Sequence, residues 1–165
     1  MTIPIDWQAA GHDISRLALA YVCALPVGMY REREAHSVGV RTFPLVAMAS
    51  CGYVMLAMPA YQNSIEAQSR VIQGLVAGIG FIGGGAILKA EGNVHGTATA
   101  ASIWNTGVVG AAVAEDRFIM AAMLAAMNLF ALRVLLPWKL KLDARAEAKA
   151  EVKADAKKEA SAGGK

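Results

Sequence analysis

Charge is scarce in this sequence, and so is every side-chain arrangement that would make it a soluble enzyme. Asp, Glu, Lys and Arg supply 18% of its 165 residues, against about 25% in an ordinary soluble domain. The shortage is uneven: from Lys139 to the end the chain carries eight Lys/Arg and five Asp/Glu, nearly half of all its charge. What precedes that tail is apolar, within a chain that is 56% hydrophobic and has a mean hydropathy of +0.40. That is the composition of a membrane protein. There are two cysteines, Cys23 and Cys51, both inside apolar runs. They give no support to a disulfide framework and read as small packing residues. His12, His36 and His95 are separated by loops without metal-ligand spacing, so no metal site is expected. No Ser/His/Asp or Cys/His arrangement recurs, so no catalytic residue, enzyme activity or cofactor is expected. The sequence pI is about 9.0, but no basic patch with interleaved aromatics precedes the tail, which argues against a nucleic-acid partner.

The apolar sequence divides into five stretches, near 14–30, 42–60, 71–89, 96–114 and 118–136. Roughly 17–25 apolar residues cross about 30 Å of hydrocarbon. Arg31 to Glu34 close the first stretch, and Gln62, Asn63, Glu66 and Arg70 separate the second from the third. Lys89, Glu91, Gly92 and Asn93 form a hairpin, and Glu115, Asp116 and Arg117 a tight turn. Pro26 interrupts the first stretch, the weakest of the five. Its leading residues lack Lys and Arg and no small-residue cleavage site follows, so a retained helix is expected rather than a signal peptide. Positive charge in short loops sets orientation. Arg31, Arg33, Arg41, Lys89, Lys139, Lys141 and Arg145 fall on one side, against Arg16, Arg70 and Arg117 on the other. The expected fold is therefore an all-α, polytopic integral membrane protein of five transmembrane helices, N-terminus outside and C-terminus cytoplasmic. The lipid bilayer is its expected partner, and a homo-oligomer is compatible.

No Asp or Glu lies inside any of these spans, although intramembrane carboxylates usually mark cation pathways and proton relays. The interior offers Gln73, Thr97, Thr99, Ser102, Asn105, Thr106 and Asn128, which read as hydrogen-bond partners between helices. Small residues are dense in spans three and four, which are expected at the centre of the bundle. Gly74 and Gly78, then Gly80 and Gly84, are four apart, as are Ala98, Ser102, Thr106, Gly110 and Ala114. The run Gly78 to Gly85 holds five glycines in eight residues, each costing about 1 kcal/mol of helix propensity relative to alanine. Two readings fit it. Gly78, Gly80, Gly83 and Gly85 can permit a tight helix crossing, or the helix can unwind there and line a polar site with backbone, as transporter helices do.

Residues 1–138 thus read as a transmembrane domain and 139–165 as a separate charged tail. Between Asp143 and Lys157 charge alternates with Ala or Val, and like charges stand four apart. Such pairs oppose a helix that alanine favours, so a frayed helix passing into disorder is expected. Lys139 and Lys141 beside Trp138 suit an interfacial anchor on anionic lipid.

Three segments in order resemble the MgtC/SapB family. Arg31-Glu32, then Gly39-Val40-Arg41-Thr42, with Gly28 eleven residues before Gly39, is similar to its first cytoplasmic loop. The run from Gly78 to Gly85 resembles its GIGFLGAG motif, and Asn93 to Trp104 its N-V-R-G-L-x-T-A-A-T-L-W segment. Order and spacing agree from Arg16 to Gly110. The resemblance implies a multi-pass protein of the bacterial inner (cytoplasmic) membrane, with its N-terminus outside. It implies a role in adaptation to low magnesium, through modulation of partner membrane machinery such as ATP synthase, with Mg²⁺ involved indirectly. The alternative is a small Mg²⁺ or solute transporter using unwound backbone at Gly78–Gly85. By the same resemblance Arg31, Glu32, Arg41, Thr42, Gly96, Thr99 and Trp104 form the functional cluster, gathered with His95, Lys89 and Glu91 at the cytoplasmic ends of the spans. Departures are Tyr30 where the family has a carboxylate, His95 where it has arginine, and a tail from Lys139 where the namesake continues into a folded domain: a short form. A guanidinium fork from Arg41 to Glu32 or to a phosphate would not survive Arg41→Lys, whereas an orientation signal would; the fork is expected, so that Arg41→Lys should insert and accumulate normally but lose function in low magnesium.

Overall fold

The computed structural model of the chain describes residues 6–35, 39–61, 64–90, 93–135 and Trp138. His36, Gln62, Asn63, Glu91, Gly92 and the tail from Lys139 lie outside them. The chain divides into two units, residues 1–129 and 130–165.

The first unit is helical. Helix α1 spans Trp7–Ala35 and α2 spans Thr42–Tyr61. Helix α3 spans Ile65–Gly85, α4 spans Thr97–Ala114 and α5 begins at Phe118 and runs to Phe130. Starts and stops follow local chemistry. The Asp6 carboxylate accepts from the N–H groups of Gln8 and Ala9 at 3.0 and 3.2 Å, and the Ser64 hydroxyl accepts from Ala67 N at 3.2 Å. Both are N-caps that satisfy donors a first turn leaves over. Helix α4 ends with Arg117 N donating to Ala112 O and Asp116 N donating to Val113 O, around Asp116 at φ +56°. This is a Schellman stop with an aspartate in the left-handed position.

Two expectations change, and one of two open readings drops out. Pro26 does not interrupt the first helix; α1 runs through it, because proline removes one backbone donor and neighbouring turns hold the rest. The third helix lies earlier than expected, ending at Gly85. Strands β1 (Leu88–Ala90) and β2 (Asn93–His95) follow it as an antiparallel pair, Leu88 opposite His95. The glycine run is not unwound either. Helix α3 continues through Gly78 to Gly85, and only then do Ala86 N and Ile87 N close it onto Gly83 O and Gly84 O.

Packing places α4 at the centre, against α1, α2 and α3. Thr99, Ser102, Ile103, Thr106, Gly107, Val109, Gly110, Ala112, Val113 and Ala114 are all buried, which covers about 220° of the circumference. Helix α2 answers with Phe43, Ala47, Cys51 and Val54, all at 0% exposure and spaced to lie on one face. Contact is backbone to backbone, since a methyl group on Gly110 would collide with the Ala47 carbonyl. The expected centre of spans three and four is therefore half right. Helix α3 buries only Ile79 and Gly83, and α2 takes the inner position because its small residues let it approach α4 closely.

Outward faces are apolar: Leu56, Phe81 and Ile119 are each at least 80% exposed. Among the described residues, Thr42–Pro59 and Phe118–Leu135 are long and apolar enough to cross a membrane. The second unit begins at Phe130 and contributes a π-helical segment, Ala131–Leu135, with Leu132 buried and Trp138 exposed.

Candidate functional site

Polar side chains gather at the two ends of the first unit. At one end α1 stops, α2 starts, α3 stops and α4 starts. Arg31 lies here, four residues before the end of α1, and is only 7% exposed. Its Nη2 donates to the Thr99 hydroxyl, itself buried in the first turn of α4. Its Nε is buried and has no acceptor.

The next residue, Glu32, faces the turn that leads into α2. Its Oε2 accepts from Val40 N at 3.1 Å, and Gly39 O accepts from Thr42 N at 3.1 Å. Glycine is needed on both sides of this contact. A methyl group on Gly39 would overlap the Glu32 carboxylate and backbone, and one on Gly28 would stand 3.1 Å from Gly39 O. The Gly28–Gly39 spacing thus brings a turn onto the last turns of a helix. Arg41 is exposed and Thr42 half-buried. The carboxylate that Arg41 was expected to grip is instead hydrogen-bonded to backbone, and no ion pair joins Arg41 to Glu32 among the described residues.

Gly96 precedes α4 at φ +85°, where a methyl group would overlap the Ala86 carbonyl. Only glycine accepts both that dihedral and that contact. Helix α4 consequently begins without a side-chain cap. Arg31, Glu32, Gly39, Gly96 and Thr99 therefore meet at one end, with Arg41 and Thr42 at its rim. Trp104 does not join them; it is 46% exposed and lies about 140° around α4 from Thr99. His95 is exposed beside Gly96.

Of the four glycines expected to pack, a methyl group on Gly83 would stand 3.2 Å from the Ala100 carbonyl, whereas one on Gly78, Gly80 or Gly85 would meet nothing from a neighbouring element within 4 Å. Gly74 and Gly78 line an apolar groove of about 560 Å³ between α2 and α3, with Ser50, Tyr53 and Arg70. The close approach to α3 is instead made on α4, where a methyl group on Gly107 would overlap Ile79.

The opposite end holds a clamp that sequence reading missed. Arg16 Nη1 donates to Ala114 O at 3.1 Å and Nη2 pairs with the Asp116 carboxylate. A cation thus satisfies a terminal carbonyl of α4 and the acid that stops it. The available signal was a lone arginine opening an apolar stretch. Between the two ends Ser102 Oγ donates to Asn128 Oδ1 at 2.6 Å and Asn128 Nδ2 donates back to Ser102 O at 3.1 Å. Asn105 Nδ2 donates to Leu124 O at 3.1 Å. These are the expected interhelical bonds; Thr106 instead bonds within its own helix, to Ser102 O, and Gln73 and Thr97 are exposed. Among the described residues no three His, Cys, Asp or Glu side chains converge as metal ligands.

Comparison with known proteins bears on this arrangement. The MgtC family model matches residues 17–139, from the second turn after Trp7 to beyond α5. Protein SrpB of Synechococcus elongatus is 42% identical over 120 residues, 66% of this chain and 64% of that protein. YhiD of Escherichia coli (strain K12), named provisionally as a magnesium transporter, is 30% identical over 127 residues, 73% of this chain and 59% of its own. Protein MgtC of Brucella abortus is 34% identical over 104 residues, 63% of this chain and 43% of its own. The chain therefore spans less than two thirds of the length of these curated relatives. No solved structure matches it.

Proposed function

The chain belongs to the MgtC family, and from that premise we propose that it is a multi-pass, non-enzymatic protein of the bacterial inner membrane that adapts the cell to low magnesium by modulating partner membrane proteins. The observation that carries this reading is the family match across residues 17–139, which takes in most of α1, all of α2 to α5 and both segments of the Arg31–Thr99 end. Residues 1–138 form the membrane domain in this reading and residues 139–165 a cytoplasmic tail. The Arg31, Glu32, Gly96 and Thr99 end then faces the cytoplasm and the Arg16–Asp116 clamp faces outward. Five alternating helices put these ends on opposite sides, and the lysine and arginine bias supports the direction.

Transport is the second reading, favoured by the name of YhiD. Its structural device was unwound backbone around Gly83, and α3 is continuous there. The Mg²⁺ ion gives up its water reluctantly and favours hard oxygen ligands, so the buried end marked by a guanidinium is a poor place to receive it.

The two readings part in liposomes. Purified protein is expected to give no saturable Mg²⁺ flux above empty vesicles, while expression restores growth of a family-deleted strain in low magnesium. Saturable flux would sink the modulator. In the growth assay Arg31→Lys is expected to accumulate normally yet fail, because a lysine cannot hold the Thr99 hydroxyl and keep a planar donor edge. Arg41→Lys, changed at an exposed position, is expected to grow.

A further inference from the structure

Two arginines in the first unit have a buried Nε without an acceptor, Arg16 and Arg31, and their surroundings differ. Arg16 has Asp116 to neutralise it. Arg31 is only 7% exposed, and among the described residues no carboxylate pairs with it. A buried cation needs a counter-charge, because its lost hydration is not returned by one neutral hydroxyl. The neighbouring Glu32 carboxylate bonds to Val40 N instead.

What Arg31 touches is the first turn of an eighteen-residue helix. The start of α4 has no side-chain cap, because Gly96 holds the capping position with φ +85° and has no side chain to offer. Uncapped N–H groups and the helix dipole attract negative charge at that place. Thr99 stands three residues into the helix, accepts from Arg31 Nη2, and keeps its own hydroxyl proton to donate. Thr97, one residue into the helix, is exposed, so the start of the helix opens to the surroundings. Three donors of different origin thus meet without an acceptor: a guanidinium edge, a hydroxyl and the first N–H groups of α4.

We propose that this end of the protein is an anion site, in which a phosphate group is held between Arg31 and the N-terminus of α4. A phosphate supplies several acceptor oxygens in the tetrahedral spread that a guanidinium edge and a helix start both recognise. The group can arrive on a lipid head or in solution. The site does not depend on the magnesium reading, since it is argued from the buried Arg31 Nε, Thr99 and the uncapped start of α4.

The test uses the full chain. In dodecyl maltoside, inorganic phosphate is titrated at constant ionic strength against chloride, with thermal unfolding and ³¹P line-broadening as readouts. In parallel the protein is placed in nanodiscs of phosphatidylcholine with or without phosphatidic acid. Saturable protection by inorganic phosphate would assign a soluble ligand; protection only by phosphatidic acid would assign a lipid head. Arg31→Gln is expected to weaken the effective ligand about tenfold or more, and Thr99→Val to weaken it less. Arg31→Gln is also expected to unfold no earlier than the parent in phosphate-free buffer, because it removes an uncompensated charge. Arg117→Gln, an exposed cation at the other end, is expected to bind as the parent does. The proposal is overturned if neither phosphate source protects, if protection survives Arg31→Gln, or if Arg117→Gln loses as much. A carboxylate of the chain already seated on Arg31 would produce the first of these results.

Discussion

At Gly96 and Gly110 the backbone of a neighbour occupies the place a methyl group would take, the carbonyls of Ala86 and Ala47 respectively. A carbonyl cannot rotate away as a side-chain tip can. Gly96→Ala would also force a left-handed dihedral on a residue with a Cβ, at roughly 1–2 kcal/mol before any clash. Gly110→Ala is expected to cost about 1–3 kcal/mol by overpacking. A methyl group on Gly78, by contrast, would meet nothing within 4 Å, so Gly78→Ala should gain about 1 kcal/mol of helix propensity. Reversible unfolding in detergent would rank the three. A Gly78→Ala loss as large as that of Gly110→Ala would mean that the open glycine face of α3 is packed against another chain. In the sequence Gly78 and Gly110 read alike as packing residues, and Gly96 as part of the functional cluster. Spacing reveals which residues share a face, but not which face finds a neighbour.

Helix α5 buries only Ala121 in its own length, so its hold on α4 depends on the polar clasp at Ser102, Asn105 and Asn128. In a bilayer such bonds are worth about 0.6 to 2 kcal/mol each, because lipid offers no competing partners and no hydrophobic drive between helices. Asn128→Leu removes two of them while keeping volume and apolar character. It is expected to lower stability by about 1–2 kcal/mol and to expose the 115–117 turn to protease. A double-mutant cycle with Ser102→Ala should give a coupling of comparable size; a coupling near zero would leave α5 held by something else. The clasp residues were visible in the sequence as amides and hydroxyls in apolar surroundings, where polar groups need partners. Their pairing was not, because the partner of an amide is chosen by helix rotation.

For the molecule as a whole, the two polar ends give the orientation a direct test. Single cysteines replacing Arg41 and Thr97 at one end, and Arg117 and Ser69 at the other, should react oppositely with an impermeant thiol reagent on intact cells, in a background lacking Cys23 and Cys51. The 117 and 69 positions are expected to label and the 41 and 97 positions to remain protected until the membrane is opened. Labelling of all four from outside would end the five-span arrangement, and reversed labelling would move the Arg31 end and its proposed anion outward.

The sequence by itself determined that this chain is an assembly of apolar helices with polar breaks near residues 31–41, 62–70, 89–95 and 115–117. Hydrophobic length and turn chemistry are local properties, legible without knowing what lies across the bundle. It also carried the family through motifs whose spacing proved to be contact geometry, as Gly28 and Gly39 do around Glu32. Tertiary structure alone decided that α2 rather than α3 packs most closely on the expected central helix α4, that α3 remains helical through its glycines, and that Arg31 rather than Arg41 is the buried cation. Both arginines flank the same break in the sequence. What separates them is which one a neighbouring helix covers, and that depends on close approach between backbones far apart along the chain.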